Sequence, residues 1–166
     1  MSHDGRAVAN VILDLCSRHD RRITNLALQK IIYFCHVWSL IDLGKPLIKH
    51  SFEAWQFGPV LQYLYREFKQ FEDKPISSRA MRINPVSGQR EQVPYEFDQE
   101  TLLLIERVVE FYSRLPAGEL VELSHAEGGP WHRVWNHGGS VNPGMKIDNQ
   151  HIESFYKKVV PPYSLH

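Results

Sequence analysis

Residues 24–42, TNLALQKIIYFCHVWSLID, constrain this chain more than any other stretch. Placed at 100° per residue, Leu28, Ile31, Ile32, Cys35, Val37, Trp38 and Ile41 cover most of a helix's circumference. A helix that apolar belongs in the middle of a bundle, with neighbours on nearly every side. Thr24 can cap it, Ile23 and Leu28 can staple the cap, and Gly44 and Pro46 stop it beyond Asp42. Its polar residues Asn25, Gln29 and His36 share one narrow stripe, with Tyr33 and Ser39 at the edges. Two readings stay open: a face turned to water, or an internal line that hydrogen-bonds the backbone of a neighbouring segment.

The remaining pattern is also mostly helical. Val8, Val11, Ile12 and Leu15 mark one face of a first helix over residues 7–15. Asp98 caps a helix reaching Leu115, whose inner face is Leu102, Ile105, Val109 and Tyr112. Shorter helices are expected over 118–125, from Pro130 onward, and from Asp148 to about Val159. The exception is MRINPVSGQREQVPY, read as two short strands around a Ser-Gly turn. No repeat or linker is visible, so the expectation is a single domain over 1–166: a mainly α helical bundle with a small β-hairpin excursion.

The segment EAWQFGPVLQYLYREF, Glu53 to Phe68, raises a separate question. Residues 52–57 alternate like a strand, and Val60, Leu61, Leu64, Tyr65 and Phe68 follow at helical spacing. Gly58 is therefore read as a helix N-cap and Pro59 as the first helical position, where its missing N–H has no partner to lose. Gly-Pro becomes a corner between an extended arm and a packed helix.

Composition narrows the function. With 19 basic and 19 acidic residues the formal charge is zero, whereas nonspecific nucleic-acid binding draws on a basic excess. SRHDRR, residues 17–22, is short and interrupted by an aspartate, so protein partners or small ligands are favoured over nucleic acid. No apolar run approaches the eighteen or so residues of a membrane span, and the N-terminus lacks signal-peptide features. Cys16 and Cys35 fall among apolar neighbours, as buried reduced thiols of a cytoplasmic protein would.

Catalytic motifs are missing: no phosphate loop, no dinucleotide fingerprint, no nucleophile elbow. The densest polar cluster, SHAEGGPWHRVWNH, carries His125, Glu127, His132 and His137. It has neither HExxH nor CxxC spacing, and two glycines separate the possible ligands. A metal-dependent hydrolase built on His125, Glu127 and His132 is the alternative this cluster leaves open.

Three blocks, in order, carry a resemblance. TNLALQKIIYFCHVW, with Gln29 and Tyr33, is similar to the opening signature of the SocA-like antitoxin family, also called the Panacea domain and often labelled phage-associated protein. EAWQFGPVLQYLYREF, with Trp55, Gly58 and Pro59, resembles the second block and is the most specific. LSHAEGGPWHRVW, with His125, Glu127, Pro130 and Trp131, resembles the third, and IDNQHIESFYK fits the usual ending. His36-Val37 and Gly128-Gly129 depart from the family pattern. The resemblance implies a non-catalytic antitoxin, without cofactor, that binds a cognate toxin encoded beside it and neutralises it by direct contact. In one branch it implies an adaptor that delivers the toxin to a protease. Since the core helices use their apolar faces internally, the expected contact surfaces are the hairpin, through Met81, Arg82, Arg90 and Tyr95, and the bend at 125–135, through Trp131 and His132.

Overall fold

The computed structural model describes residues 2–136 and 145–163. In chain order the elements are α1 (Gly5–Arg18), α2 (Asn25–Trp38), β1 (Glu53–Trp55), β2 (Gly58–Val60), α3 (Gln62–Phe68), β3 (Met81–Ile83), β4 (Arg90–Gln92), α4 (Gln99–Tyr112), α5 (Ala117–Ser124), α6 (Pro130–Asn136) and α7 (Asn149–Tyr156). The fold is mainly α with two separate two-stranded antiparallel hairpins, β1–β2 and β3–β4.

Helix α2 is the central element and packs against α1, α3, α4, α5, α7 and β2. Thr24 caps it by accepting from the Ala27 N–H at 3.2 Å, and Ile23 and Leu28 are both buried around that cap. Its C-terminus widens into a π-helical turn, Ser39–Leu43, which Gly44 closes in the left-handed region at φ 66°. The stretch Asn25–Leu43 has the length and apolar composition to cross a membrane. Counting only unbroken apolar runs overlooks it, because Asn25, Gln29, Lys30 and His36 interrupt the sequence. Here its side chains are taken up by protein: Phe34 stacks on Tyr112 with centroids 4.4 Å apart, and the Trp38 indole donates to the Tyr112 hydroxyl at 2.9 Å. Cys16 and Cys35 are buried free thiols, and burial pushes Cys16 up to about 11.

The Gly-Pro corner differs from its sequence reading. Gly58 and Pro59 do not start a helix; they form β2, which pairs with β1 in the register Glu53 to Val60, Ala54 to Pro59 and Trp55 to Gly58. Helix α3 begins only at Gln62, behind Leu61. Neither Gln56 nor Phe57 at the turn has a positive φ, so Gly58 supplies the needed twist at φ 113°. A helix N-cap keeps an ordinary extended φ, which Gly58 does not have.

Candidate partner-binding surface

The polar stripe of α2 is internal and holds the neighbouring segments in place. Asn25, Gln29, His36 and Ser39 are all buried. Gln29 Oε1 accepts from the Leu61 N–H at 3.0 Å, and its Nε2 donates to Asn25 Oδ1 at 3.2 Å. Asn25 Nδ2 donates in turn to the Tyr65 carbonyl at 3.1 Å. His36 Nδ1 accepts from the Ile48 N–H at 3.1 Å, which leaves the proton on Nε2, 2.9 Å from Asn149 Oδ1. Burial lowers the His36 pKa, favouring this neutral form. Tyr33 is also fully buried, and its ring packs edge-on against Phe52. Of the two readings of the stripe, the structure selects the hydrogen-bonded line.

Lys30, one residue beyond Gln29 and so turned about 100° from that stripe, supports the β1–β2 hairpin. It is fully buried, and its Nζ donates to the Pro59 carbonyl at 2.7 Å. Burial depresses its pKa to about 7. Its stem runs along Gly58: a Cβ on that glycine would stand 2.6 Å from Lys30 Cε and 2.6 Å from Ser124 Oγ. From the other side, the Ile147 N–H donates to the Phe52 carbonyl at 2.8 Å, and the Trp131 indole donates to the Trp55 carbonyl at 2.7 Å. The β1–β2 hairpin is therefore pinned by α2, by α6 and by the segment leading to α7. Its turn leaves Phe57 56% exposed beside a cleft of about 200 Å³ lined by Leu26, Trp55 and Tyr65, with Gln29 behind.

At the bend, the residues divide. Trp131 is buried and stacks on His125 at a centroid distance of 3.6 Å. Its indole belongs to the framework, as does Pro130, which is buried at the start of α6. His132 Nδ1 accepts from the Gly128 N–H at 3.2 Å and so closes the bend on itself. Glu127 and Trp135 are exposed. Burial, and next the charge on Lys30, lower the His125 pKa. No three metal-ligating side chains converge among the described residues, so nothing in the geometry gathers His125, Glu127 and His132 into a metal centre. His137 lies outside the described residues.

The β3–β4 hairpin stands out from the bundle as expected, and one residue of α1 fastens its root. Asn10, buried on α1, accepts from the Ala80 N–H at 2.8 Å, and its amide donates to the Ala80 and Val93 carbonyls at 3.1 and 3.0 Å. Beyond that clasp, Arg82 pairs with Glu91 at 2.9 Å, and Tyr95 donates to Asp14 at 2.7 Å. Both side chains are thus committed within the chain. Arg90 is exposed and Met81 half-buried, while Ile83 and Val86, which the sequence reading passed over, are 63% and 95% exposed. A Lys in the middle of an apolar helix was the available signal for Lys30, whereas Asn10 shares its helix face with Arg6, Asp14 and Ser17 and had no such signal.

Comparison with known proteins bears on what this surface is for. Residues 28–132 match the family described as antitoxin SocA-like, Panacea domain. The chain is 41% identical over 157 residues to Antitoxin SocA of Caulobacter vibrioides (strain NA1000 / CB15N), covering 94% of this chain and 84% of that protein. No solved structure matches. The matched family region contains Gln29 and His36 of the α2 stripe, the pinned Gly-Pro hairpin and the bend as far as His132, and the chain belongs to the SocA-like, Panacea-domain antitoxin family.

Proposed function

We propose that the protein works in the cytoplasm as an antitoxin, binding a cognate toxin encoded beside it and neutralising it by direct protein–protein contact. The observation that carries this reading is the 41% identity to Antitoxin SocA along nearly the whole chain. Physical support comes from where the polar groups go. Buried Gln29, Lys30, His36 and Asn10 are spent on backbone partners that shape the scaffold. None of these sits in a cleft as a nucleophile beside a base, the arrangement that covalent catalysis requires.

The β3–β4 hairpin is the recognition element in this proposal. It carries exposed apolar side chains at Ile83 and Val86 with Arg90 beside them, and aromatic, aliphatic and arginine anchors of this kind dominate interface energies. The framework residues of the α2 stripe and the bend hold the scaffold, whereas preference for one toxin resides on the hairpin.

Co-expression with the adjacent reading frame tests the proposal. Growth rescue together with co-purification is the expected result; rescue without a complex, or no rescue, would remove direct contact as the mechanism. Masking leaves toxin levels unchanged in rescued cells, whereas delivery to a protease shortens the toxin's half-life, so a translation-block chase separates the two routes.

A further inference from the structure

The hairpin meets α3 across a polar cleft of about 700 Å³. Its walls carry three arginines, Arg66, Arg79 and Arg90, against two carboxylates, Asp14 and Glu67. The carboxylates are occupied. Asp14 takes the Arg79 guanidinium at 2.8 Å and the Tyr95 hydroxyl at 2.7 Å, and Glu67 Oε1 accepts from the Met81 N–H at 2.9 Å. Arg79 is further held by the Ser78 carbonyl and Ser17 Oγ. Arg66 and Arg90 are different: among the described residues neither guanidinium has an ion pair or a hydrogen bond, although both are exposed on the same cleft.

The strand register adds the apolar part. Met81 pairs with Gln92 and Ile83 with Arg90, so these four side chains share one face of the hairpin. Arg82, Glu91 and Asn84 lie on the other face and bond to one another. One face is therefore internally satisfied. The other presents an uncommitted arginine directly across from a 63% exposed isoleucine, with a second uncommitted arginine on α3 nearby. Strand addition along the outer edge of β3 is obstructed at Met81, whose outward N–H already belongs to Glu67. Recognition there must proceed through side chains.

We propose that this cleft seats an acidic segment of the toxin that carries an apolar residue next to its carboxylates. The carboxylates lie between Arg66 and Arg90, and the apolar side chain covers Ile83. A guanidinium fork matches a carboxylate bidentately, and Arg66 and Arg90 need break no contact within the protein to take such a ligand. A nucleic-acid strand fits less well, because a run of phosphates needs a track of cations and the chain has no basic excess to supply it. The inference rests on the hairpin being the toxin-binding element.

The test measures affinity for the co-expressed neighbouring toxin at 50 and 300 mM salt, using wild type, Arg66→Glu/Arg90→Glu, Arg66→Gln/Arg90→Gln, and a variant with residues 82–92 replaced by a Gly-Ser turn. Circular dichroism and melting temperature establish that each is folded. The expected result is binding weakened by about tenfold or more in both arginine variants, more by Glu than by Gln, with the salt dependence of wild type largely lost. Poly-glutamate displaces the toxin, and a single-stranded DNA oligonucleotide of equal charge does not. Wild-type affinity in the arginine variants, with binding lost in the hairpin replacement, would overturn the cleft and leave the hairpin reading standing. Wild-type affinity in the hairpin replacement as well would overturn both. Displacement by the oligonucleotide alone would replace the acidic segment with nucleic acid and overturn the inference.

Discussion

Lys30 and Pro59 are joined by a 2.7 Å hydrogen bond in which a fully buried amine on the central helix supports the carbonyl of a strand proline. The amine has its pKa depressed to about 7 by burial, well under the ordinary 10.5 of a lysine. Of the groups packed around it, His125 on the α5 side titrates and is itself held below its usual value.

That pair predicts a pH dependence of stability. Between about 7 and the ordinary lysine value, the unfolded chain binds a proton that the folded chain lacks, so stability rises with pH across this window. Below it both states are protonated and the penalty is at its full size; above it both are neutral and the penalty is gone. One proton gives a slope of at most about 1.4 kcal/mol per pH unit. Urea unfolding from pH 6.5 to about 8.5, below the range in which the raised pKa values of the buried Cys16 and Cys35 thiols make stability fall with pH, should show this rise in wild type and not in Lys30→Met. Parallel curves for the two proteins would show that Lys30 does not titrate in the fold.

Gln29→Leu should destabilise the protein by roughly 1–3 kcal/mol, because it strands the Leu61 N–H and removes the partner of Asn25 inside the core. The urea midpoint reads this directly. An unchanged midpoint would mean that water replaces the amide without penalty.

Gly58→Val should be severe and Pro59→Ala mild. Valine would be forced to φ 113° with its Cβ driven into Lys30 and Ser124, a combination of strain and overpacking worth roughly 3 kcal/mol or more. Alanine at 59 keeps the carbonyl that Lys30 uses and loses mainly the stiffness of proline in the unfolded chain, about 1 kcal/mol or less. Equal melting temperatures for Gly58→Val and wild type would eliminate this account of the corner.

Replacing residues 82–92 with a short Gly-Ser turn should yield a folded protein that no longer rescues growth. The cut spares Ala80 and Val93, so the three hydrogen bonds that Asn10 makes with them, two donated and one accepted, survive it. Rescue at wild-type level would move the toxin interface elsewhere, and a molten product would make the hairpin part of the core.

Legibility in the sequence followed the number of alternatives each pattern allowed. The α2 stripe was visible because helical spacing leaves one way to align Asn25, Gln29 and His36, although burial decided between water and backbone as its partner. The caps at Thr24, Asp98 and Asp148 were equally readable, since a side-chain acceptor before an apolar periodic run has few other uses. Gly-Pro was misread because the same dipeptide suits a helix start and a hairpin strand, and Gln56-Phe57 carries no Asn-Gly signal to mark the turn. The hairpin's position was legible, but the internal commitment of Arg82 and Tyr95 depends on Glu91 and Asp14, and only the fold brings Asp14 to Tyr95. Lys30 hid inside an apolar run whose overall character dominated the reading.

The clasp of Asn10 on Ala80 and Val93 makes the excursion between them modular. Whatever is threaded through that socket is held at its two ends by a side chain belonging to the bundle, so the inserted loop can change length and chemistry while the bundle keeps its own folding instructions. Toxin preference should accordingly be transplantable: a relative's segment grafted between positions 80 and 93 would carry its choice of target into this scaffold.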